Sequence, residues 1–158
     1  MPISDYYRGL REKLGTELLM VPSVAAVIRN EEREILFLRK GGETLWALPA
    51  GAIEPGETPP RTLRREVFEE TGLMVNPVRI LGVFGGEKFR YIYQSRDHVE
   101  YVFTVYECSI VKGNLRSEDG EAEELRFFRD QELPEFTIPY PLEIFRQFDD
   151  TLNPVIYE

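Results

Sequence analysis

The sequence predicts a mixed α/β fold, in which a β-sheet with strands running in both directions packs between helices. Three observations lead to this expectation. Segments of β-branched and aromatic residues outnumber segments with helical spacing. Two pairs of these segments are separated only by short polar turns, which is typical of hairpins. One well-bounded helix interrupts the series of strands, so the chain combines both types of element.

The first third of the chain carries the signals of one helix and three strands. Ser4 can cap a helix whose end is marked by Gly15. Pro22 is expected to bend or interrupt its strand, because proline cannot donate a backbone hydrogen bond. The predicted elements are a short helix over residues 4–15, a hairpin of strands over residues 18–28 and 34–39, and a strand over residues 45–49.

The best-defined prediction is a helix over residues 59–71. Thr58 has a hydroxyl that can cap it, Pro59 suits its first position, and Gly72 can take the left-handed conformation that ends a helix. One side of this helix is expected to pack on the core through Leu63, Val67, Phe68 and Thr71.

Strands dominate the rest of the chain. The predicted elements are a strand over residues 75–84, a hairpin of residues 88–94 and 98–110, a strand over residues 122–128 and a last helix over residues 140–148. With 42% hydrophobic and 12% aromatic residues among 158, the chain can bury one sizeable core. We therefore expect a single domain over residues 1–158.

Three carboxylates share one face of the predicted helix at residues 59–71. Glu66, Glu69 and Glu70 stand at positions i, i+3 and i+4, where like charges each destabilise a helix by about 0.2–0.5 kcal/mol. The pattern indicates no cation on that face to offset them. Mg²⁺ would do so, because it binds carboxylate oxygens and commonly sits between acidic side chains and substrate phosphates. The spacing therefore predicts a metal and phosphate site.

Charge and cysteine content argue against several classes of function. The net charge of −9 and the pI near 4.8 disfavour a nucleic-acid-binding or anionic-membrane surface. Cys108 is the only cysteine, so an intrachain disulfide is impossible and a reducing compartment is expected. The sequence shows no apolar run of membrane-spanning length and no signal peptide, which favours a cytoplasmic protein. A homodimer is compatible with the sequence but not indicated by it.

Residues 51–73 read GAIEPGETPPRTLRREVFEETGL and resemble the Nudix box of the Nudix (MutT-like) hydrolases. The matching positions are Gly51, Glu57, Arg65-Glu66-Val67, Glu69-Glu70 and Gly72-Leu73. Two neighbouring positions depart from the family's usual residues, with Ala50 in place of a second glycine and Leu63 in place of alanine. The resemblance extends to residues 46–50 and 124–134. It implies an α/β/α sandwich with a mixed sheet and a loop-helix-loop metal site.

The resemblance also implies an activity and roles for the matched residues. The reaction would be hydrolysis of a pyrophosphate bond in a nucleoside diphosphate linked to another group, with Mg²⁺ or alternatively Mn²⁺ as cofactor. Glu66 and Glu70 would be direct ligands of the metal, and the Gly51 carbonyl a further one. Glu69 would be a ligand or the general base. Arg65 would point away from the acidic face and tie the loop of Glu57 to the helix.

Residues outside the box are candidates for substrate contacts. The polar loop before residue 122 offers Glu118 and Glu121 as an extra ligand or base, with Glu121 preferred for its distance from the next strand. Tyr91 and Phe84 are candidates for stacking on a base. Tyr91 lies 18 residues beyond the box, where a tyrosine marks diadenosine polyphosphate hydrolases within the family. Phe89 stands where many ADP-ribose hydrolases have a proline, which disfavours that substrate.

Two other functions remain open at this point. One is a nucleotide-sensing or nucleotide-binding module that keeps the Nudix fold without turnover. The other is an isoprenoid diphosphate isomerase, which would need a protonating cysteine, for which Cys108 is the sole candidate. For a hydrolase, ADP-ribose, a dinucleoside polyphosphate, an oxidised nucleotide and a nucleotide sugar are all candidate substrates. The expected partner is thus a small phosphorylated nucleotide, not a nucleic acid or a membrane.

Overall fold

A computed structural model describes residues 4–146 and the short strand Val155–Ile156, and it confirms the mixed α/β class. The helices are α1 (Asp5–Leu14) and α2 (Pro59–Thr71). The strands are β1 (Leu19–Ile28), β2 (Ile35–Lys40), β3 (Ala50–Ala52), β4 (Leu73–Phe84), β5 (Arg90–Ile92), β6 (His98–Gly113), β7 (Ala122–Phe128) and β8 (Val155–Ile156). Neither helix of the described residues is long and apolar enough to cross a membrane.

Within the described residues, six strands form a mixed sheet and two strands form a second, smaller one. The large sheet has the order β3-β1-β6-β4-β8, with β5 also paired to β6. β1 runs parallel to β6, whereas β3, β4 and β5 make antiparallel pairs. The small sheet is the antiparallel pair of β2 and β7. The second hairpin of the sequence prediction is therefore confirmed.

The first predicted hairpin is wrong. β1 and β2 belong to different sheets, and among the described residues one isolated bridge joins Arg29, which directly follows β1, to Ile35 of β2. β1 is a regular strand across Pro22, whose carbonyl accepts a hydrogen bond from the backbone of Ile53. The missing proline N–H is thus tolerated without the expected interruption.

Two further elements differ from prediction. Residues 45–49 are not a strand, because Trp46 bonds to the segment around residue 136 while Ala47 bonds to Leu38 of β2. Neither contact extends into a ladder, and β3 begins only at residue 50. In place of a last helix over residues 140–148, the chain forms a short 3₁₀ turn at Leu142–Phe145, and residues 147 and 148 lie outside the described part of the chain.

The core lies on both faces of β1. Alternate side chains of this strand enter two different clusters, and residues 24–28 are fully buried. On one face, Leu63 and Val67 of α2 pack without solvent exposure, so truncating Leu63 to alanine would cost about 2–5 kcal/mol. This packing anchors the helix that carries the acidic residues. Phe68, expected in the core, is instead 45% exposed.

The ends of both helices follow local sequence signals. The Ser4 hydroxyl accepts a hydrogen bond from the backbone of Tyr7, as an N-cap residue does, and α1 ends at Gly15. α2 has the predicted bounds and ends at Gly72, which has a left-handed φ of 73°. Thr58 is its N-cap by backbone conformation, but its hydroxyl makes no capping bond in the structure as described. Its carbonyl accepts from the first turn of the helix instead.

Candidate metal and phosphate site

The three glutamates on the acidic face of α2 differ in burial. Glu66 is fully buried and Glu70 is 2% exposed, whereas the side chain of Glu69 is 36% exposed. The two buried residues share α2 with Leu63 and Val67, which hold the helix on the core. An unpaired charged carboxylate is costly to bury. The surroundings of Glu66 and Glu70 therefore decide what this site can bind.

Gly51 of β3 makes room for the carboxylate of Glu66. A Cβ atom at position 51 would lie 2.0 Å from the Cδ atom of Glu66 and 2.3 and 2.4 Å from its oxygens. The φ angle of Gly51 is not positive, so this contact, rather than backbone conformation, requires glycine here. Pairing of Gly51 with Val24 of β1 holds the contact in place.

Glu66 has one engaged oxygen and one free oxygen. Its Oε1 accepts a hydrogen bond from Nη1 of Arg65 at 2.7 Å, while its buried Oε2 has no hydrogen-bond partner among the described residues. Burial raises the pKa of Glu66 to about 8, against the opposing effect of Arg65. A buried oxygen without a donor is what a cation-binding carboxylate presents before its ion is bound.

Glu70 lies beside Glu66 and is held by two groups. Its Oε2 accepts a hydrogen bond from the backbone N–H of Ala50 at 2.9 Å, and its Oε1 lies 3.6 Å from Nζ of Lys40. Burial raises the pKa of Glu70 to about 7, although Lys40 and Ala50 act in the opposite direction. Ala50 stands where the family usually has glycine, and its methyl group does not prevent the hydrogen bond from its backbone N–H to Glu70.

Arg65 makes the predicted contact with Glu57 but does not point away from the acidic face. Its Nε and Nη2 donate to the two oxygens of Glu57, each at 2.8 Å. The same guanidinium reaches Glu66, and Nη1 lies 3.4 Å from Oε2 of Glu69. The hydrogen bond from Arg65 to Glu57 is the main cause that lowers the pKa of the Glu57 carboxyl to about 2. Arg65 therefore serves both the loop and the carboxylates.

The carboxylates of α2 are thus already offset by cations, contrary to the sequence prediction. Arg65 contacts Glu66 and Glu69, and Lys40 contacts Glu70. Over residues 4–146, no three His, Cys, Asp or Glu side chains are grouped closely enough to hold a metal ion. The donor set nevertheless fits a hard cation, because a free buried carboxylate oxygen lies against a glycine and beside a second buried carboxylate.

The loop before β7 approaches the same site. The side chain of Glu121 pairs with Lys40 at 3.3 Å, and Lys40 also contacts Glu70. Glu118 instead pairs with Arg116 at 2.6 Å, which lowers the pKa of Glu118. Both loop candidates lie near α2, since the backbone N–H of Glu118 donates to the carbonyl of Glu69 at 2.8 Å. Only the side chain of Glu121 shares a cation, Lys40, with Glu70.

Asp119 is a site residue that sequence reasoning missed. Its Oδ1 accepts bonds from Ser117 and from the backbone of Glu121, but its buried Oδ2 has no partner in the described part of the chain. Its backbone N–H donates to the carbonyl of Glu69 at 3.1 Å. The charge of Asp119 also contributes to raising the pKa of Glu70. A polar loop with three acidic residues gave no signal to single it out.

These features lie within a region that matches a known domain family. Residues 19–148 match the NUDIX domain family, a region that contains the whole of α2 with its flanking loops. The chain belongs to the NUDIX family. The mixed sheet, the loop-helix-loop segment and the buried glutamates are therefore features of a Nudix domain.

Individual relatives share part or most of this Nudix domain. The RNA pyrophosphohydrolase of Yersinia enterocolitica is 48% identical over 60 residues, which are 38% of this chain and 34% of that protein. The match therefore spans about a third of the length of that curated relative. A solved UDP-X diphosphatase has a TM-score of 0.63 at 28% identity, covering 87% of this chain and 64% of its own. A solved ADP-ribose pyrophosphatase from Streptococcus suis has a TM-score of 0.59 at 25% identity, covering 75% of this chain and 80% of its own.

A cavity of about 410 Å³ opens beside the Nudix helix. Glu70, Lys40 and Gly51 lie along it, together with six aromatic side chains: Tyr7, Tyr91, Tyr93, Phe103, Tyr101 and Tyr140. The volume is in the range of cavities that bind small molecules. Tyr91, a predicted substrate contact, thus lies in the cavity, and its hydroxyl donates to Glu43 at 3.2 Å.

Two residues proposed from the sequence lie elsewhere. Phe84 is 1% exposed and stacks on Phe89 in the core, and neither belongs to the cavity lining of the described chain. Cys108 is buried in the cluster that packs against α2, and burial raises the pKa of its thiol to about 12. A thiol so placed is a poor proton donor to a ligand in the cavity, which weighs against the isomerase alternative.

Proposed function

We propose that this protein is a divalent-metal-dependent hydrolase that cleaves the pyrophosphate bond of a nucleotide derivative. One observation carries the proposal: the free buried oxygen of Glu66, held against Gly51 and next to the buried carboxylate of Glu70. This arrangement has an unfavourable energy by itself and a favourable one around a cation. The expected ion is Mg²⁺, with Mn²⁺ as an alternative.

Glu66, Glu70 and the carbonyl of Gly51 would hold the ion, and Glu69 would be a further ligand or the base. Bound Mg²⁺ neutralises charge on a phosphoryl oxygen and lowers the pKa of a bound water. Glu69 is the most exposed of the three carboxylates, so it is best placed to exchange a proton with water. Because the pKa values of Glu66 and Glu70 are about 8 and 7, ion binding near neutral pH should release protons.

The cations near the carboxylates have separate roles in this proposal. Arg65 holds Glu57 and orients Glu66, so it positions a ligand without touching substrate. Lys40 lies at the border between the carboxylates and the cavity. Its ammonium can contact a substrate phosphate there, which stabilises the charge that develops on the leaving group.

The substrate that we favour is a small nucleotide derivative in a cytoplasmic setting. Relatives are named for UDP-X, for ADP-ribose and for RNA. The net charge of −9 opposes contact with a long RNA, so we place an RNA 5′ end behind the small nucleotides. Whether the enzyme is a homodimer can be settled by light scattering on the eluting species.

The test is a Mg²⁺-dependent screen of anhydride substrates with identified products. The panel contains ADP-ribose, a dinucleoside polyphosphate, a nucleotide sugar, an oxidised nucleoside triphosphate and a 5′-triphosphate RNA. We expect hydrolysis of at least one compound into two phosphorylated fragments, and loss of this activity with EDTA. Glu70→Gln should lower kcat by about 100-fold or more. The matched control is Glu32→Gln in an exposed turn, which should leave it unchanged.

Three results would contradict the proposal. Unchanged turnover in Glu70→Gln would remove the metal mechanism. A single rearranged product would indicate an isomerase. Binding of nucleotides without turnover of any compound would indicate a non-catalytic nucleotide-binding module.

A further inference from the structure

The N-terminal helix lies outside the matched Nudix region but forms part of the cavity. The family match begins at residue 19, whereas α1 ends at residue 14. Ser4, Tyr7 and Arg11 of this first segment nevertheless line the cavity beside Glu70. Tyr7 is only 6% exposed and packs with Val21 and Val99. The helix is therefore a wall of the cavity rather than a surface appendage.

On one side, α1 is bonded to the loop that leads into α2. The Tyr7 hydroxyl donates to the carbonyl of Ile53 at 2.6 Å, and the Ser4 hydroxyl donates to Glu54 at 2.9 Å. Ile53 and Glu54 directly follow β3, which contains Gly51. The position of the helix is thus coupled to the loop that begins the metal site.

On the other side, α1 is bonded to the turn between β5 and β6. Arg11 donates to the carbonyl of His98 at 3.1 Å and lies 3.5 Å from Asp97. This turn carries Tyr93 of the cavity, whose hydroxyl contacts that of Tyr101 in β6, another cavity residue. α1 therefore connects the two chain segments that enclose the cavity.

The cavity suits an uncharged planar group better than a phosphate. Its charged side chains are each engaged with another group. Arg11 pairs with Asp97 and Lys40 with Glu70. Glu54 and Glu43 accept hydrogen bonds from the hydroxyls of Ser4 and Tyr91. The remaining lining is mainly aliphatic and aromatic. Aromatic side chains provide stacking surfaces for any nucleobase. Phosphates would then lie at the end near Lys40 and Glu70.

Tyr140 offers a donor to a ligand in this cavity. The residue is 5% exposed, and in the structure as described its hydroxyl has no hydrogen-bond acceptor. Burial raises the pKa of this hydroxyl, the backbone N–H of Leu48 acts to lower it, and the charge of Glu70 acts to raise it. Tyr140 is one of the residues that line the cavity. Since buried hydroxyls are nearly always paired, a buried hydroxyl of a lining residue that has no acceptor among the described residues indicates that a ligand supplies one.

We propose that α1 and Tyr140 form the wall that binds the nucleoside part of the substrate, so that the N-terminal helix decides which nucleoside is accepted. Tyr7 supplies the surface against the base, and Tyr140 donates to an oxygen or nitrogen of the nucleoside. This inference rests on the proposed function, because it assigns the cavity to the same substrate. Of the two parts of this wall, α1 lies outside the matched Nudix region and Tyr140 lies within it.

Calorimetric binding of nucleoside monophosphates in MgCl₂ tests the inference, since these compounds contain no anhydride to cleave. The probes are AMP, GMP, CMP and UMP, with ribose 5-phosphate as the probe without a base. We expect at least one monophosphate to bind about tenfold or more tightly than ribose 5-phosphate, the effect of one base–aromatic contact. Equal affinity for ribose 5-phosphate would overturn the proposal.

Two variants locate the binding site. Tyr7→Ala should weaken the preferred monophosphate by about tenfold, whereas Tyr6→Ala, on the exposed side of the same helix, should not. Tyr140→Phe should weaken binding by about 2–10-fold without lowering Tm, because it removes a buried hydroxyl whose proton has no acceptor in the described part of the chain. Its control is Tyr106→Phe, a buried tyrosine of the other core cluster. Unchanged binding in Tyr140→Phe would overturn the proposal even if Tyr7→Ala fails to fold.

These results separate the inference from the proposed function. Should no anhydride be cleaved while a monophosphate binds and Tyr7→Ala weakens it, the nucleoside wall stands and the hydrolase proposal fails. Should hydrolysis occur with the same KM and the same nucleoside preference in Tyr7→Ala and Tyr140→Phe, the hydrolase stands and the wall is refuted.

Discussion

Substituting Gly51 by alanine should damage the metal site while leaving the fold intact. The new Cβ atom would lie 2.0 Å from the Cδ atom of Glu66. Ordinary contacts of this kind begin at 3.4 Å, so the carboxylate must retreat by about 1.4 Å. Helix α2 cannot retreat with it, because Leu63 and Val67 are fully buried against the core. The side chain of Glu66 must therefore rotate away from β3.

The expected size of the effect follows from this displacement. A misplacement of about 1 Å in a catalytic group can cost about 100-fold in rate. We therefore expect Gly51→Ala to lower kcat/KM by about 100-fold and to raise the Mg²⁺ concentration needed for half-maximal activity. The φ angle of Gly51 is not positive, so alanine adds no backbone strain, and Tm should shift by only a few degrees, about 1 kcal/mol in a domain of this size.

Initial rates measured across a Mg²⁺ titration provide the assay, with thermal unfolding of the same samples. Gly9→Ala is the matched control, because a Cβ at position 9 in α1 would meet nothing within 4 Å. An unchanged rate and Mg²⁺ dependence in Gly51→Ala would refute the assignment of Glu66 as a ligand. A collapse of Tm would instead show that the carboxylate position matters chiefly for folding.

Three further predictions concern the ionisable side chains of the site and the core. Arg65→Lys should lower kcat more than it raises KM, by about 10–100-fold, because lysine cannot replace the two parallel bonds to Glu57. Metal-free protein should lose stability as pH rises from about 5 to 8, because the pKa values of Glu66 and Glu70 are raised from 4.5 to about 8 and 7. The contribution of these two residues to the free energy of unfolding is full below pH 4.5 and is lost above the folded-state pKa values. Glu57, with its pKa lowered to about 2, acts oppositely and loses its contribution as pH falls below 4.5. Finally, Cys108 should react with a thiol reagent at pH 8 only after unfolding, because its thiol is buried and its pKa is about 12.

Each of these three has a control or a contrary result. Arg64→Lys, on the exposed side of α2, should keep full activity. Mg²⁺ should raise Tm more at pH 8 than at pH 5; an equal shift at both values would contradict the role of the buried carboxylates. Rapid labelling of folded protein would show that the strand carrying the cysteine opens readily.

The sequence predicts best where the determining contacts are local. α2 has the predicted bounds because Pro59 and Gly72 fix its ends within the segment itself. The predicted pairing of β2 with β1 is wrong because the partner of β2, β7, lies about 80–90 residues further along the chain. The strand over residues 45–49 failed for the same reason, since Trp46 is held by a carbonyl at Glu135. Sequence spacing carries no information about such distant partners.

The same distinction applies to the site. The carboxylates and the bond between Arg65 and Glu57 follow from spacing on one loop and helix. Lys40 and Asp119 reach the site from other parts of the chain, and neither has a local pattern that marks it. Tyr140 became a candidate only when its hydroxyl was found without an acceptor in the part of the chain that is described.

In each of the two buried carboxylates, one oxygen accepts an orienting hydrogen bond and the other does not. Glu66 uses Oε1 to accept from Arg65, and Glu70 uses Oε2 to accept from Ala50. The second oxygen of Glu66 is free among the described residues, and that of Glu70 has only the longer contact with Lys40. A cation can therefore bind both residues without breaking the bonds that orient them. Since that orientation is set before the ion arrives, losing Arg65 should weaken metal binding although Arg65 is not a ligand.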